Sequence, residues 1–547
     1  MNAPQSPLPV VDSPATQAAF VAGLCQPAAY AALHPVTGPV RRIETHVSWV
    51  FLTGEFAYKV KKPLRLSFLD YSTAARRAQF CHEELRLNQR HAPGLYLEVV
   101  AITGSPSSPR LERMGSDEIA KHTFEHALRM VQFDERHELG HLLQADDVTI
   151  ESCLEFGDRI ARMQQQAAQV EPESSFGVPE AVHRTTLANF DELGRVSRDT
   201  GSTTALDAGQ LRALQSQVQC QFDTVRARLV ARREQGRVRE GHGDLHCGNV
   251  VRWQGALVAF DGIEFDPALR WIDVANDIAF LTMDLAARGR DDLRGAVLQG
   301  WLAASGDFDG LALLPYFESY RALVRAKVAA LRARQQDVAA SATSLAEARR
   351  YLDWAAARTA RPAPTLVLMS GLSGSGKTWL AQRIAARLGA LIVRSDVERK
   401  RLAGLQPLQA SRSAPDAGLY SLDFNARTYA RLNDCAASGL LGGENIIVDA
   451  ANLRRAERGR FLELARQRGA RAAIVHCSAP IDVLRERVTA RAAAANDASE
   501  ATVALLDRQP SYWEDFGADE RSLLVQVDTT DTDAIERVVQ RLATTHQ

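Results

Sequence analysis

The sequence is poor in the features that would tie it to a membrane, an export route or a metal framework. No apolar run approaches the roughly 20 residues needed to cross a bilayer. The opening stretch, MNAPQSPLPVVDSP, is proline-rich and has no basic-then-apolar signal pattern. Seven cysteines, at 25, 81, 153, 220, 247, 435 and 477, include no C-x-x-C pair, which argues against a zinc ribbon and predicts reduced thiols, not a disulfide framework. Excess charge of one sign is also missing: 65 Lys and Arg against 66 Asp and Glu leave a formal net charge of −1. The basic footprint of a general nucleic-acid binder is therefore absent. The expectation is a cytoplasmic protein with small-molecule partners, no membrane partner and nucleic acid disfavoured; oligomeric state is left open.

What is present is ordinary globular composition, 46% hydrophobic and 24% charged over 547 residues, enough for two to four folding units. Residues 1–14 read as a disordered lead-in. Thr45–Thr53 and Glu55–Lys61 read as a hairpin turned at Gly54, Ala74–Gln89 as an amphipathic helix, and Phe124–Phe133 as a further strand. Residues 140–235 are helical in pattern, a β-rich patch follows at 241–265, and helix resumes to about 358. Residues 355–364, AAARTARPAP, read as an interdomain linker. Strand and helix then alternate, with strands expected at 365–369, 390–394, 444–449, 471–477 and 523–527, a pattern that predicts a parallel sheet with helices on both faces.

The most specific motif is Gly371-Leu-Ser-Gly-Ser-Gly-Lys-Thr378, a G-x-x-x-x-G-K-T phosphate loop set between an apolar strand and a helix. Gly371, Ser373, Gly374, Ser375 and Gly376 supply a backbone that wraps phosphate. Lys377 is placed to reach the β- and γ-phosphates of ATP, and Thr378 to bind Mg²⁺. Two strands supply further carboxylates. Asp396, at the C-terminal edge of the stretch Leu391–Asp396, forms D-x-x-R with Arg399, where a base and an anion-holding guanidinium belong; Asp449 ends 444–449 in Walker B form, a Mg²⁺ position. Asn452 is expected to face the same cleft. Arg487 and Arg491, four apart on one helix face, are candidates for a lid over the transferring phosphate. This half resembles the P-loop kinases grouped with polynucleotide kinase and zeta-toxin-type kinases. The resemblance implies Asp396 as base and Arg399 for substrate phosphate or transition-state charge.

More than 100 residues earlier, His242-Gly-Asp-Leu-His-Cys-Gly-Asn249 satisfies H-x-D-x-x-x-x-N, and Leu257-Val-Ala-Phe-Asp261 ends in a second aspartate. An aspartate in a tight loop accepts a proton from an attacking hydroxyl, while an asparagine five residues on and an aspartate ending the next strand share metal ions. The stretch resembles the aminoglycoside phosphotransferase family, which has a protein-kinase-like fold. The resemblance implies Asp244 as catalytic base, Asn249 and Asp261 as Mg²⁺ ligands, and ATP-dependent transfer to a small-molecule hydroxyl. His242 is read as a brace, and Asp273 and Asp277 as structural. Lys59, inside an apolar strand, is the lysine expected to meet ATP phosphates, with Lys61 on the same face as its rival and Glu84 as partner. No Gly-rich loop precedes it; His46–Phe51 stands there instead. The hinge that meets adenine is expected near Met130–Phe133.

The whole chain resembles bacterial two-domain proteins that fuse an aminoglycoside-phosphotransferase-like kinase to a P-loop kinase. The expected architecture is a bilobal α+β domain over 15–354, with lobes dividing near 138, followed by an α/β P-loop domain over 365–547. The expected function is bifunctional transfer of the ATP γ-phosphate to hydroxyls, with ATP and Mg²⁺ as cofactors and one metabolite as the shared acceptor. Two other readings stay open: one catalytic domain regulated by a nucleotide-binding partner domain, and a C-terminal 5′-hydroxyl polynucleotide kinase.

Overall fold

The structure, a computed structural model, describes residues 9–66, 69–199, 206–359, 362–411, 413, 418–494 and 497–544. Residues 1–8 of the expected lead-in and 360–361 of the expected linker lie outside it. The chain forms two compact units: one takes residues 1–152, 163–178 and 232–277, the other 153–162, 179–231 and 278–547.

The first unit is built on an antiparallel sheet. Its strands are β1 (Arg41–Glu44), β2 (Ser48–Leu52), β3 (Phe56–Lys61), β4 (Tyr96–Ser105), β5 (Ser108–Arg113) and β6 (Glu125–Val131), in the order β1-β2-β3-β6-β4-β5. The turn between β2 and β3 falls at Gly54, whose φ of 96° is the reason glycine stands there. Helix α1 (Pro14–Leu24) begins inside the expected lead-in because Ser13 caps it, its hydroxyl accepting the Thr16 N–H. Alternation along β3 sends Tyr58 and Val60 into an aromatic core with Phe20, Leu24 and Tyr30, and Ala57 to the opposite face, where Cys81, Leu95 and Leu128 pack. Helix α2 (Ala74–His91), capped by Thr73, lies on that second face. Lys59 and Lys61 share the Ala57 face by period, so both ammonium groups must find partners under α2. A short hairpin of β7 (Val250–Trp253) and β8 (Ala256–Ala259) adds Val251 and Val258 to the same core.

In the second unit, helix α3 (Asp291–Ser305) packs on a parallel five-stranded sheet, and helices α4 (Leu314–Ala333) and α5 (Val338–Thr359) pack on each other. The strands of the sheet are β9 (Thr365–Ser370), β10 (Ala390–Arg394), β11 (Asn445–Asp449), β12 (Arg471–Ser478) and β13 (Leu524–Asp528), each within a residue of the expected limits at either end. The order is β10-β11-β9-β12-β13. The chain thus leaves β9 and returns beyond β11, opening a crevice at the carboxyl ends of β9 and β11. Helix α3 serves the edge strand directly. The Gln299 carboxamide accepts the Ile392 N–H at 2.8 Å and donates to its carbonyl at 3.3 Å, covering main-chain groups of β10 that lack a neighbouring strand. The Arg401 and Arg431 guanidinium groups donate to Ala303 and Gly306 carbonyls at the C-terminus of α3.

Four buried charges close the joint. Arg294 donates to Glu444 at 2.6 and 2.9 Å and to Glu318 at 3.0 Å. Arg358 donates to Glu318 at 2.8 Å, to Glu444 at 2.9 Å and to the Gly442 carbonyl at 3.0 Å. All four side chains are 5% exposed or less. This corrects the linker: Ala355–Thr359 is the last turn of α5, because Arg358 is committed to the network and the alanines favour helix. Arg358→Ala leaves two carboxylates under-compensated in a dry site, and urea unfolding of the full chain should report a loss of about 3–5 kcal/mol.

Candidate active sites

The first site assembles where β3, α2 and the turn after β8 meet. Lys59 Nζ lies 2.7 Å from Glu84 Oε1 and 2.5 Å from Asp261 Oδ1. Lys61 Nζ lies 2.7 Å from Glu84 Oε2 and also pairs with Glu264, which the Tyr71 hydroxyl meets as well. Of the rivals, Lys59 is the one beside Asp261, while Lys61 is the more buried, a mainstay of the lobe. Glu264 had no place in the sequence reading; the signal for it was the pair of same-face lysines, which needs more than one carboxylate. Burial pushes the Glu84 carboxyl up, but the ammonium groups of Lys59 and Lys61 outweigh it and hold it down at about 2.

Asp261 sits at φ 60°, a left-handed conformation rare for a non-glycine residue. It is held there by neighbours: its N–H donates to Tyr96 Oη, and the next N–H, of Gly262, donates to Asn88 Oδ1 on α2. The residues of the His242–Asn249 loop lie on the same framework. Asn249 Nδ2 donates to the Asp244 carbonyl at 3.0 Å and to Oδ2 at 2.9 Å. The Phe260 N–H donates to the Asn249 carbonyl, which brings Asn249 beside the strand that delivers Asp261. His242 braces the loop through the Phe260 carbonyl and the Asp244 N–H. Asp277 accepts the His242 and Gly243 N–H groups, and Asp273 pairs with Arg232, so both serve structure. The Asn249 side-chain carbonyl and the Asp261 carboxylate are hard oxygen donors of the kind Mg²⁺ takes. In place of a glycine-rich loop, β1 and β2 are joined by a tight turn that Thr45 closes, its hydroxyl accepting the Ser48 N–H.

The second site is a cavity of about 850 Å³ at the crevice of the parallel sheet. The phosphate loop runs from β9 into helix α6 (Lys377–Leu388), with Gly371, Gly374 and Gly376 at φ 136°, 80° and 82°. A Cβ at Gly371 would meet the Cys477 carbonyl at 2.3 Å, and one at Gly374 the Leu484 carbonyl at 2.6 Å, so only glycine fits either position. Lys377 Nζ donates to the Gly371 and Leu372 carbonyls at 2.9 and 2.8 Å. The Thr378 hydroxyl donates to Asp449 Oδ2 at 2.7 Å, so hydroxyl and carboxylate stand together as a divalent-cation site requires. Burial lowers the Lys377 ammonium from its ordinary value and raises the Asp449 carboxyl, each opposed by the other's charge. Arrival of phosphates and a cation would compensate both.

Asp396 lines the cavity from helix α7 (Ser395–Leu402); its nearest cationic group, Arg399 Nη1, is 4.0 Å away. Arg399 donates to Asn425 Oδ1 at 2.9 Å, stacks over Tyr420, and keeps its Nε buried without a partner among the described residues. Arg487 is tied to the loop, donating to Thr529 Oγ1 at 2.8 Å and to the Gly374 carbonyl at 3.4 Å. Arg491, one turn along helix α8 (Ile481–Ala494), has Nε and Nη2 buried without partners among the described residues. Ser373 and Gly376 line the same cavity, while the Ser375 hydroxyl points to no acceptor. Asn452 departs from expectation. It is fully buried at φ 47° and donates to the Met369 carbonyl, which binds the loop after Asp449 to the end of β9 and keeps the side chain out of the cleft. Arg394, Asn425, Arg454 and Gln509 were not anticipated, since each reaches the cavity through tertiary placement and not through a motif.

Glu84→Gln removes a carboxylate that two buried ammonium groups share, and should cost about 3–5 kcal/mol in urea unfolding at neutral pH. Because the folded-state pKa of Glu84 is depressed, its contribution is complete above about 4.5 and is lost as pH falls toward about 2. Acid titration of wild type should therefore show a loss of stability across that window that is reduced in Glu84→Gln.

A family model described as an AAA domain matches residues 366–515. Two mycobacterial proteins, the uncharacterized protein Rv2004c of Mycobacterium tuberculosis strain H37Rv and the uncharacterized protein Mb2027c of Mycobacterium bovis, are each 30% identical over 485 residues, spanning 88% of this chain and 92% of their own. Among solved structures, a gluconokinase from Sinorhizobium meliloti 1021 is 22% identical over 34% of this chain and 95% of its own, with a TM-score of 0.25. A choline/ethanolamine kinase family protein from Mesorhizobium loti is 13% identical over 62% and 98%, with a TM-score of 0.35. Among the described residues no helix is long and apolar enough to cross a membrane. A phosphate loop lies inside the matched domain of the second unit, and an H-x-D-x-x-x-x-N loop in the first. The chain belongs to the family of the mycobacterial protein Rv2004c.

Proposed function

We propose that the chain is a bifunctional phosphotransferase of the cytoplasm, with one centre in a kinase-like domain over 15–354 and the other in a P-loop domain over 365–547. Each centre transfers the ATP γ-phosphate to a hydroxyl of a small metabolite, and the two act in succession on one acceptor. The observation that carries this reading is the Asp396 carboxylate, which lines the phosphate-loop cavity with no hydrogen bond among the described residues. A nucleotide-binding regulator has no need of an open base opposite its phosphates, and a transferase does.

At the second centre, Asp396 takes the proton as the acceptor oxygen bonds to the γ-phosphorus and the bond from phosphorus to the β,γ-bridging oxygen breaks, leaving ADP. Lys377 holds the β- and γ-phosphates, while Arg487 and Arg491 neutralise charge that moves toward the leaving oxygen. Thr378 and Asp449 would hold Mg²⁺, which supplies further charge neutralisation. Arg399 holds the acceptor or its anionic group. At the first centre Asp244 is the base, Lys59 with its Glu84 partner holds ATP phosphate, and Asn249 and Asp261 would hold Mg²⁺. Lys59 is preferred to Lys61 because it pairs with Asp261 and keeps some exposure.

The test is incubation of wild type, Asp244→Asn, Asp396→Asn and Lys377→Ala with ATP and a metabolite pool, read by mass spectrometry. Wild type should add phosphoryl groups to one compound, and each Asp→Asn change should stop the series at a different stage, slowing its own step by about 10²–10⁴-fold. A product spectrum unchanged by Asp396→Asn and Lys377→Ala would eliminate the second centre as a kinase. Two unrelated acceptors would refute succession.

A further inference from the structure

Gln509 is not part of any phosphate-loop motif, yet its side chain bonds that loop from outside it. The Ser373 N–H donates to Gln509 Oε1 at 2.7 Å. The residue is 7% exposed and lines the cavity that holds Lys377, Thr378 and Asp396. With Oε1 committed to the loop, the amide nitrogen is the one polar atom of the side chain left for a ligand; it has no hydrogen-bond acceptor among the described residues. Gln509 opens a short 3₁₀ turn after helix Val503–Arg508, and this segment gives Thr502, Leu505 and Tyr512 to the same cavity wall.

The chemistry of transfer fixes which phosphate such a donor meets. Of the three phosphates only the γ group faces the acceptor. The α- and β-phosphates lie along the loop toward the N-terminus of α6. Gln509 holds the third residue of the loop, four positions before α6, and lines the same cavity as Asp396, the proposed base, which puts it toward the γ end. We propose that Gln509 reads the γ-phosphate: its carbonyl holds the Ser373 N–H so that the loop is shaped before ATP arrives, and its amide N–H donates to a γ-phosphate oxygen. The inference rests on the C-terminal kinase reading and deepens it. It assigns the discrimination of ATP from ADP to a residue outside the loop.

The experiment separates bracing from reading by two substitutions in the full-length chain. Gln509→Glu keeps an acceptor for the Ser373 N–H but replaces the donor with a negative charge, whereas Gln509→Ala removes both. Binding of ADP and of a non-hydrolysable ATP analogue is measured by calorimetry, with thermal melting as a check on folding. Gln509→Glu should bind the ATP analogue at least tenfold more weakly than wild type while ADP affinity stays within about twofold. Gln509→Ala should weaken the analogue in the same direction. Unchanged analogue affinity in Gln509→Glu, or equal losses for ADP and the analogue in both variants, would reduce Gln509 to a loop brace and overturn the proposal. The C-terminal kinase reading fails separately: Lys377→Ala would then bind the analogue as wild type does.

Discussion

Glu444 stands one residue before the strand that ends in Asp449, and it is buried between two arginines from helices of a different part of the chain. A carboxylate so placed cannot be left alone; removing either guanidinium strands a charge in a dry interior. The consequence is that α3 and α5 do not merely lie near the parallel sheet but complete it. Gln299 covers the edge strand, and Arg401 and Arg431 cap the carbonyl end of α3, so strand β10 and helix α7, beside the crevice, are located by a helix that precedes the phosphate loop in sequence. The position of Asp396, one residue after the start of α7, follows from that assembly.

The first unit solves a similar problem with opposite signs. Two lysines on one face of β3 must be buried beneath α2, and Glu84 alone cannot neutralise them. Asp261 and Glu264, three residues apart in the turn after β8, complete the balance. The same ion pairs that stabilise the lobe therefore hold Lys59 and Asp261, the lysine and aspartate that the proposed phosphotransfer would use. The left-handed backbone at Asp261 is tolerated because Tyr96 and Asn88 take up the adjacent N–H groups.

How far the chain could be read from its residues varied with the range of the interaction concerned. Strands β9, β10 and β11 were legible because each is a short apolar run, and burial on both faces leaves that pattern little freedom. The phosphate loop was legible because its glycines answer to local backbone geometry. The end of α5 was not: a stretch rich in alanine, arginine and proline reads as a linker until Arg358 is seen paired with Glu318 and Glu444. Asn452 misled for a related reason. Its place after a Walker B aspartate suggested the cleft, whereas its side chain is spent on the Met369 carbonyl.

The residues alone dictate the local chemistry of this protein: a loop whose glycines only glycine can replace, strands whose apolar runs demand burial, and aspartates and asparagine at spacings that a strand or a tight loop turns to one side. The reason is that backbone sterics and side-chain period act over a few residues. Long-range packing alone chose which lysine faces Asp261, which helices finish the parallel sheet, and which side chains from 86 and 150 residues away neutralise Glu444. Those outcomes depend on desolvation, which sets the cost of a buried charge by everything packed around it and not by its neighbours in the chain.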